Sequence, residues 1–147
     1  MHVEKYHLKS SLQSRRYEFV SEGPRGAIRK LIEFQETHDP GLFNLAFGDK
    51  HPTTGEIDDL AVSDNGDTEK VLATVVSAVY AFCDQFPDAY IYASGSTKAR
   101  TRLYRMGIVK YLEQMQNDFE LYGQQGDDFA AFEPNTQYEG FLAQRKP

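Results

Sequence analysis

The chain has 147 residues and a formal net charge of −6, with apolar residues at 40% and aromatic residues at 13% of its positions. This length and apolar content predict a single domain, 1–147, with a hydrophobic core. The chain is too short for two domains of ordinary size. The acidic charge disfavours general coating of nucleic acids, because that binding needs many Lys and Arg contacts with phosphates. The single cysteine, Cys83, excludes an internal disulfide.

The first half of the chain has the period-two alternation of strands. In RRYEFVSEG, at 15–23, Tyr17 and Phe19 alternate with polar neighbours, as expected for a half-buried antiparallel strand. The same pattern recurs in GAIRKLIEFQET, LFNLAFGD and EIDDLAVS, at 26–37, 42–49 and 56–63. Because turn residues separate these segments, they predict an antiparallel meander.

The second half of the chain alternates helices with strands. A helix is predicted over 67–86, with Asp67 as its N-cap, because a short carboxylate can accept the free amides of a first turn. Val71, Val75 and Val79 recur along it at the spacing of a helix that lies on a sheet. The later predicted elements are a strand AYIYAS at 89–94, a helix over 97–116, a strand DFELYG at 118–123 and a short C-terminal helix at 136–145.

These elements predict an α+β fold. The expected architecture is a mainly antiparallel sheet of five or six strands with two helices packed on one face, since each helix has one apolar stripe. In the first helix Val71, Val75 and Val79 are expected to be buried, and in the second Ile108 and Tyr111. A parallel, doubly wound sheet would contradict this prediction.

The aromatic content indicates a surface for self-association. Several aromatic residues exceed what the core of one small domain needs, and apolar rings on a surface commonly mark an interface. We therefore expect a homodimer. The residues concerned are Tyr6, Tyr90, Tyr92, Phe129 and Phe132.

The sequence predicts a cytoplasmic protein that does not bind membranes. Its start, MHVEKYHLKSSL, lacks the apolar run and the cleavage site of a secretory signal. The most apolar stretch, VLATVVSAVYAFC at 71–83, is shorter than the roughly 20 residues that a bilayer span needs. It is interpreted as part of a core helix.

The candidate binding site lies in YASGSTKARTRLYRMG, at 92–107, which has four cationic side chains and no acidic one. The segment leads from a strand end through Gly95 to a helix start with Ser96 or Thr97 as its cap, and helix amino ends attract anions. Hydroxyls and amides can donate to a phosphate there, and arginine can clamp it with two hydrogen bonds. The candidate anion-binding residues are Ser96, Thr97, Arg100 and Arg102.

Arg100 has two alternative partners. It projects beside the apolar stripe of its helix, so we expect it to point inward, where an unpaired charge is too costly to persist. One alternative is a carboxylate of the acidic segment 49–69, which would make Arg100 structural. The candidate acidic partners are Asp58, Asp59 and Asp67. The other alternative is the phosphate of a ligand.

Two classes of function remain open. The first is a binding or regulatory interaction module whose cationic helix meets a phosphate-bearing ligand or an acidic partner protein. The alternative is an enzyme that acts on a phosphate-bearing substrate, RNA or a nucleotide, with carboxylates such as Asp58 holding Mg²⁺. The spacing of the acidic residues matches no metal-binding motif, and no nucleophile with a base identifies a reaction. The sequence therefore assigns no metal, cofactor or catalytic residue.

Several motifs occur in a specific order along the chain: GAIRK, FNLAFGD, DDLAVSDNGDTEKVLATV, IYASGSTKARTRLYRMGI and FELYG. In this order they resemble an uncharacterised bacterial family of about this length. The resemblance implies a cytoplasmic bacterial protein. It implies no activity, substrate or catalytic residue.

Overall fold

The structure is a computed structural model that describes residues 4–11, 15–58, 64–95 and 97–147. These residues form an α+β fold with nine strands and three helices. The strands are β1 (Lys9–Ser11), β2 (Arg16–Gly23), β3 (Gly26–Glu36), β4 (Leu42–Lys50), β5 (Ile57–Asp58), β6 (Tyr90–Ala93), β7 (Phe119–Gln125), β8 (Asp128–Ala131) and β9 (Gly140–Arg145). The helices are α1 (Thr68–Gln85), α2 (Lys98–Lys110) and α3 (Leu112–Asp118).

All nine strands belong to one sheet, in the order β1-β2-β3-β4-β6-β9-β7-β8, with β5 also paired to β4. The β4–β6 pair is parallel and the other pairs are antiparallel. A parallel pair needs a long crossover connection, and here that connection includes α1. The predicted α+β class and mainly antiparallel sheet are confirmed, whereas the prediction of five or six strands is wrong.

The prediction of a C-terminal helix at 136–145 is also wrong, because residues 140–145 form β9. β9 lies between β6 and β7, where Ala143 is opposite both Ile91 and Leu121. Phe141 is buried, while Leu142 is only partly buried. A six-residue segment has little helical preference of its own, so the free backbone groups of two flanking strands decide its conformation.

The predicted meander is confirmed from β2 to β4. Tyr17 is opposite Ile32, which in turn is opposite Phe47, so apolar side chains align across the three strands. The fourth segment, predicted at 56–63, is described only at its start, where Ile57–Asp58 pairs with the end of β4. Residues 59–63 lie outside the described part of the chain.

Helix α1 confirms the prediction over 67–86 to within one residue at each end. Asp67 stands at the N-cap position, but its side chain makes no capping hydrogen bond. Its Oδ2 atom instead accepts hydrogen bonds from the hydroxyls of Tyr6 and Ser21, both at 2.5 Å. Burial, with the hydrogen bond to Asp67, raises the pKa of Tyr6, so the phenol stays protonated and donates. Asp67 thereby links Tyr6 to Ser21 of β2.

The helix predicted over 97–116 is interrupted at Tyr111, where α2 ends and α3 follows. Tyr111 has φ −108° and ψ 22° and donates its amide hydrogen to the carbonyl of Gly107. Tyr104, Tyr111 and Met115 are all buried. Because the apolar spacing continues across the interruption, the sequence pattern does not reveal it.

The core lies between one face of the sheet and the helices. Phe82 of α1 is fully buried and stacks on Phe34 of β3, with ring centroids 4.1 Å apart. α2 packs on α1 at Gly107, where a Cβ atom would lie 3.4 Å from Leu72 Cδ2, an ordinary van der Waals distance. The predicted core residues Val71, Val75, Val79 and Tyr111 are buried, and Ile108 is partly buried.

The aromatic residues on which the homodimer prediction was based differ in solvent exposure. Phe132 is buried in the core, and Tyr6 and Tyr92 are partly buried. Tyr90 and Phe129 are 40% and 45% exposed. The homodimer stays a prediction that rests mainly on these last two. Among the described helices, none has the length and apolar content to cross a membrane.

We predict that Phe82→Ala lowers the free energy of unfolding by about 3–5 kcal/mol, because it removes a fully buried ring from a closely packed core. Urea denaturation measures the change. Phe129→Ala is the matched control, because the same truncation at an exposed ring should have a small effect. Equal losses for the two variants would contradict this description of the core.

Candidate functional site

One edge of β4 is shared by two strands and a side chain. β5 pairs with Asp49 and Lys50, and β6 pairs with residues 42–45. We call residues 46–48, which lie between these pairings, the β4 interval. Within it, the carbonyl oxygen of Phe47 accepts a hydrogen bond from the Arg100 guanidinium. Arg100 thus supplies a donor where a neighbouring strand would otherwise supply one.

The first turn of α2 positions Arg100 at this interval. Thr97 caps the helix by accepting the Arg100 amide at 3.1 Å, and the Gly95 amide donates to Thr101 Oγ1 at 3.0 Å. A Cβ atom at Gly95 would lie 2.5 Å from Arg100 Cβ, and one at Gly48 would lie 3.0 Å from Arg100 Nη1. Gly95 is therefore needed for the tight turn into α2, and Gly48 leaves space beside β4 for the Arg100 guanidinium and the Ile57 side chain.

The guanidinium also contacts an aromatic ring. Arg100 Cζ lies 5.9 Å from the centroid of the Phe47 ring, within the range of a cation–π contact. Burial raises the pKa of Tyr104 to about 12, against the opposing effects of the Arg100 charge and of a hydrogen bond with the Phe47 backbone. Tyr104 is therefore a neutral phenol beside a permanently charged group.

Arg100 lines a cavity of about 490 Å³, which we call the Arg100 cavity. Most of its side chains are polar, and the polar ones come from β3, β4, α2 and the segments that flank β5 and β6. Asn44 Nδ2 donates to Gln35 Oε1 at 3.2 Å across the β3–β4 pair. The polar residues that line the cavity are Glu33, Gln35, Asn44, Glu56, Ser94, Arg100 and Tyr104.

Glu33 gives the Arg100 cavity a carboxylate on the other side of β4. Burial raises the pKa of Glu33, while Arg16 opposes this shift and Glu56 adds to it. Arg16 is opposite Glu33 in the β2–β3 register, yet its guanidinium donates to the carbonyl of Gly55 and lies 3.9 Å from Glu56. The cavity therefore contains one guanidinium and two carboxylates.

Comparison with known proteins places the chain in a family. A family model described as "Family of unknown function (DUF6934)" matches residues 2–146. The chain belongs to this family. This agrees with the prediction from the sequence motifs that the chain is a member of an uncharacterised family. No curated protein and no solved structure matches the chain.

The structure separates the predicted anion-binding residues. Arg100 lines the cavity, Thr97 is the exposed cap of α2, and Arg102 is exposed along α2. Ser96 lies outside the described residues. The sequence grouped them by proximity along the chain, whereas the helix directs Arg100 and Arg102 to different sides.

The acidic residues proposed as partners of Arg100 also occupy different places. Asp67 accepts the hydroxyls of Tyr6 and Ser21, Asp58 is opposite Asp49 in the β4–β5 pair, and Asp59 lies outside the described residues. Of the ion pairs between described residues, none includes Arg100. Among the described residues, Arg100 contacts the backbone carbonyl and the aromatic ring of Phe47. Neither partner was predicted from the sequence.

Sequence reasoning missed the polar residues of the sheet that complete the cavity. Glu33 and Gln35 are alternate positions of β3, so their shared face was visible as a pattern. Their neighbours on β4 could not be predicted from the sequence. Gln35 lies opposite Asn44, and Glu33 opposite Ala46, only because of the register of β3 with β4. Within the described ranges, no group of three or more His, Cys, Asp or Glu residues is placed to hold a metal ion.

We predict that Arg100→Ala lowers the free energy of unfolding by about 1–2 kcal/mol, because the Phe47 carbonyl loses its charged donor. Urea denaturation measures the loss. Lys98→Ala, also in the first turn of α2 but exposed, is the control and should change stability little. If the two variants unfold at the same urea concentration, the hydrogen bond to Phe47 does not contribute to stability.

We also predict that Glu33→Gln stabilises the protein at neutral pH. A carboxyl group whose pKa is raised by folding favours the folded state most when it is protonated, and this contribution is lost as pH rises through the folded pKa. Glutamine does not ionise, so the variant should melt at a higher temperature than the wild type at about pH 7 and at a similar temperature near pH 3.

Melting curves recorded across this pH range test the prediction. Glu120→Gln, at an exposed position of β7, is the control. A Glu33→Gln variant that is no more stable than the wild type at neutral pH would show that burial does not penalise the Glu33 carboxylate.

Proposed function

We propose that the protein is a binding module whose Arg100 cavity holds an anionic group, such as a phosphate, against the Arg100 guanidinium. The observation that carries the proposal is that a permanently charged side chain lines an accessible polar cavity, with no carboxylate bound to it among the described residues. Its hydrogen bond to Phe47 uses one N–H group. The remaining donors of the planar guanidinium suit the oxygens of a phosphate or a carboxylate.

The surroundings strengthen the attraction for an anion. Arg100 is only partly exposed, so solvent and salt screen its charge less than they screen a surface charge. The first turn of α2 adds the partial positive charge of a helix amino end. Lys98 and Arg102, which are exposed on α2, add a more distant positive potential. These contributions favour an anion at the Arg100 end of the cavity.

The cavity favours a small molecule over an acidic partner protein. Sites for small ligands have volumes of about 300–1,000 Å³ and place a few polar groups around an enclosed space. The Arg100 cavity, at about 490 Å³, falls within this range. An acidic protein would instead need a broad cationic surface, whereas here two carboxylates, Glu33 and Glu56, share the cavity with the guanidinium.

We predict that inorganic phosphate binds the wild-type protein and shifts the amide resonances of Gly95, Thr97 and Thr101 in a titration followed by NMR. Arg100→Lys should weaken this binding about tenfold or more, because an ammonium cannot form the paired hydrogen bonds of a guanidinium. Lys98→Ala should weaken it by less than about twofold, as expected for an exposed charge.

The same spectra show whether each variant is folded, so a loss of binding can be separated from unfolding. Equal affinities of the wild type and a folded Arg100→Lys variant would contradict the proposed role of Arg100. Absence of any phosphate-dependent shift at millimolar concentration would contradict the anion site itself.

A further inference from the structure

The Arg100 cavity holds opposite charges on the two sides of one strand. Arg100 bonds to Phe47 at the β4 edge that β5 and β6 share. Glu33 lies on β3, at the other edge, opposite Ala46 in the register. Since Ala46 and Phe47 are consecutive, the two charged residues lie at the same level of the sheet. Adjacent strands are about 4.8 Å apart, so β3 and the Arg100 edge of β4 are separated by roughly two spacings, about 10 Å. A small molecule with a charged group at each end can bridge this distance.

The Glu33 carboxylate is weakly compensated within the protein. Between described residues, no hydrogen bond or ion pair includes its oxygens, although Arg16 lies opposite it in the register. Arg16 is engaged by the Gly55 carbonyl and by Glu56. Burial consequently outweighs the charge of Arg16 and raises the pKa of Glu33. A cation in the cavity would supply a partner that the described residues do not provide.

A ligand with a single charge gains less from such a cavity than a ligand that carries both charges. A lone phosphate is attracted by Arg100 but repelled by Glu33 and Glu56. A lone ammonium group is attracted by the two carboxylates but repelled by Arg100. A molecule with both charges is attracted at both ends. The amide pair of Gln35 and Asn44, which also lines the cavity, offers donors and acceptors to polar atoms between those ends.

We infer that the ligand of the Arg100 cavity is a small zwitterion, whose anionic group binds Arg100 and whose ammonium group binds Glu33. This inference rests on the proposed function, because it takes the anion site at Arg100 as given. It adds the second recognition element and the chemical class of the ligand. Phosphate esters of short amino alcohols belong to this class, and the length of their carbon chain sets the separation of the two groups.

The test compares probes that carry the phosphate group, the ammonium group or both. Inorganic phosphate, phosphoethanolamine, aminopropyl phosphate and ethanolamine are titrated separately into the wild-type protein, and affinities are taken from amide resonance shifts. We expect at least one of the two amino phosphates to bind about tenfold more tightly than inorganic phosphate, because a charge-assisted hydrogen bond to Glu33 is gained. Ethanolamine alone should bind more weakly than either ester.

The decisive variant is Glu33→Gln. It should bind the amino phosphates about tenfold more weakly than the wild type does, and inorganic phosphate as tightly or more tightly, because repulsion is removed. Glu36→Gln is the matched control: it makes the same change on the same strand, at an exposed position outside the cavity. It should retain the wild-type preference for amino phosphates.

The outcomes separate this inference from the proposed function. If phosphate binding depends on Arg100 but neither amino phosphate binds more tightly, or Glu33→Gln weakens all anions equally, the zwitterion inference is wrong and the anion site stands. If ethanolamine alone binds as tightly as its phosphate ester, the inference is also wrong, because the anionic group then contributes nothing. If none of the probes binds, the anion site and the inference are both wrong.

Discussion

Hydrogen bonding of the β4 backbone is the constraint on which the candidate site depends. β3 pairs with one edge of β4 from Phe43 to Asp49, while the opposite edge is divided among β5, Arg100 and β6. A buried carbonyl without a donor costs as much as a lost hydrogen bond. The guanidinium therefore completes the sheet at Phe47 as well as lining a cavity.

Several local features follow from this use of Arg100. α2 must begin close to the end of β6, which only glycine at position 95 allows, and β4 must leave space for the guanidinium, which glycine at position 48 provides. Thr97 fixes the first turn by capping it. Structural and binding roles are thus compatible in one arginine, because a guanidinium has more donors than one carbonyl can accept.

The sequence predicted much of the fold from local patterns. The alternation in β2, β3 and β4 and the spacing of Val71, Val75 and Val79 in α1 gave the correct elements, because each segment buries one face against the same core. The extra strands could not be obtained in this way. β9 is a strand because β6 and β7 flank it, and Asp67 is bound by Tyr6 and Ser21, partners that are distant in sequence.

For the candidate site, the sequence by itself determined that a cationic segment follows a strand through Gly95 into a helix capped by Ser96 or Thr97, since caps and helix faces depend on neighbours within a few residues. Only the tertiary structure decided that Arg100 meets the Phe47 carbonyl and shares a cavity with Glu33. These contacts depend on strand order and register, which are set by the pairing of segments far apart in the chain. Chain neighbours of Arg100 carry no information about that pairing.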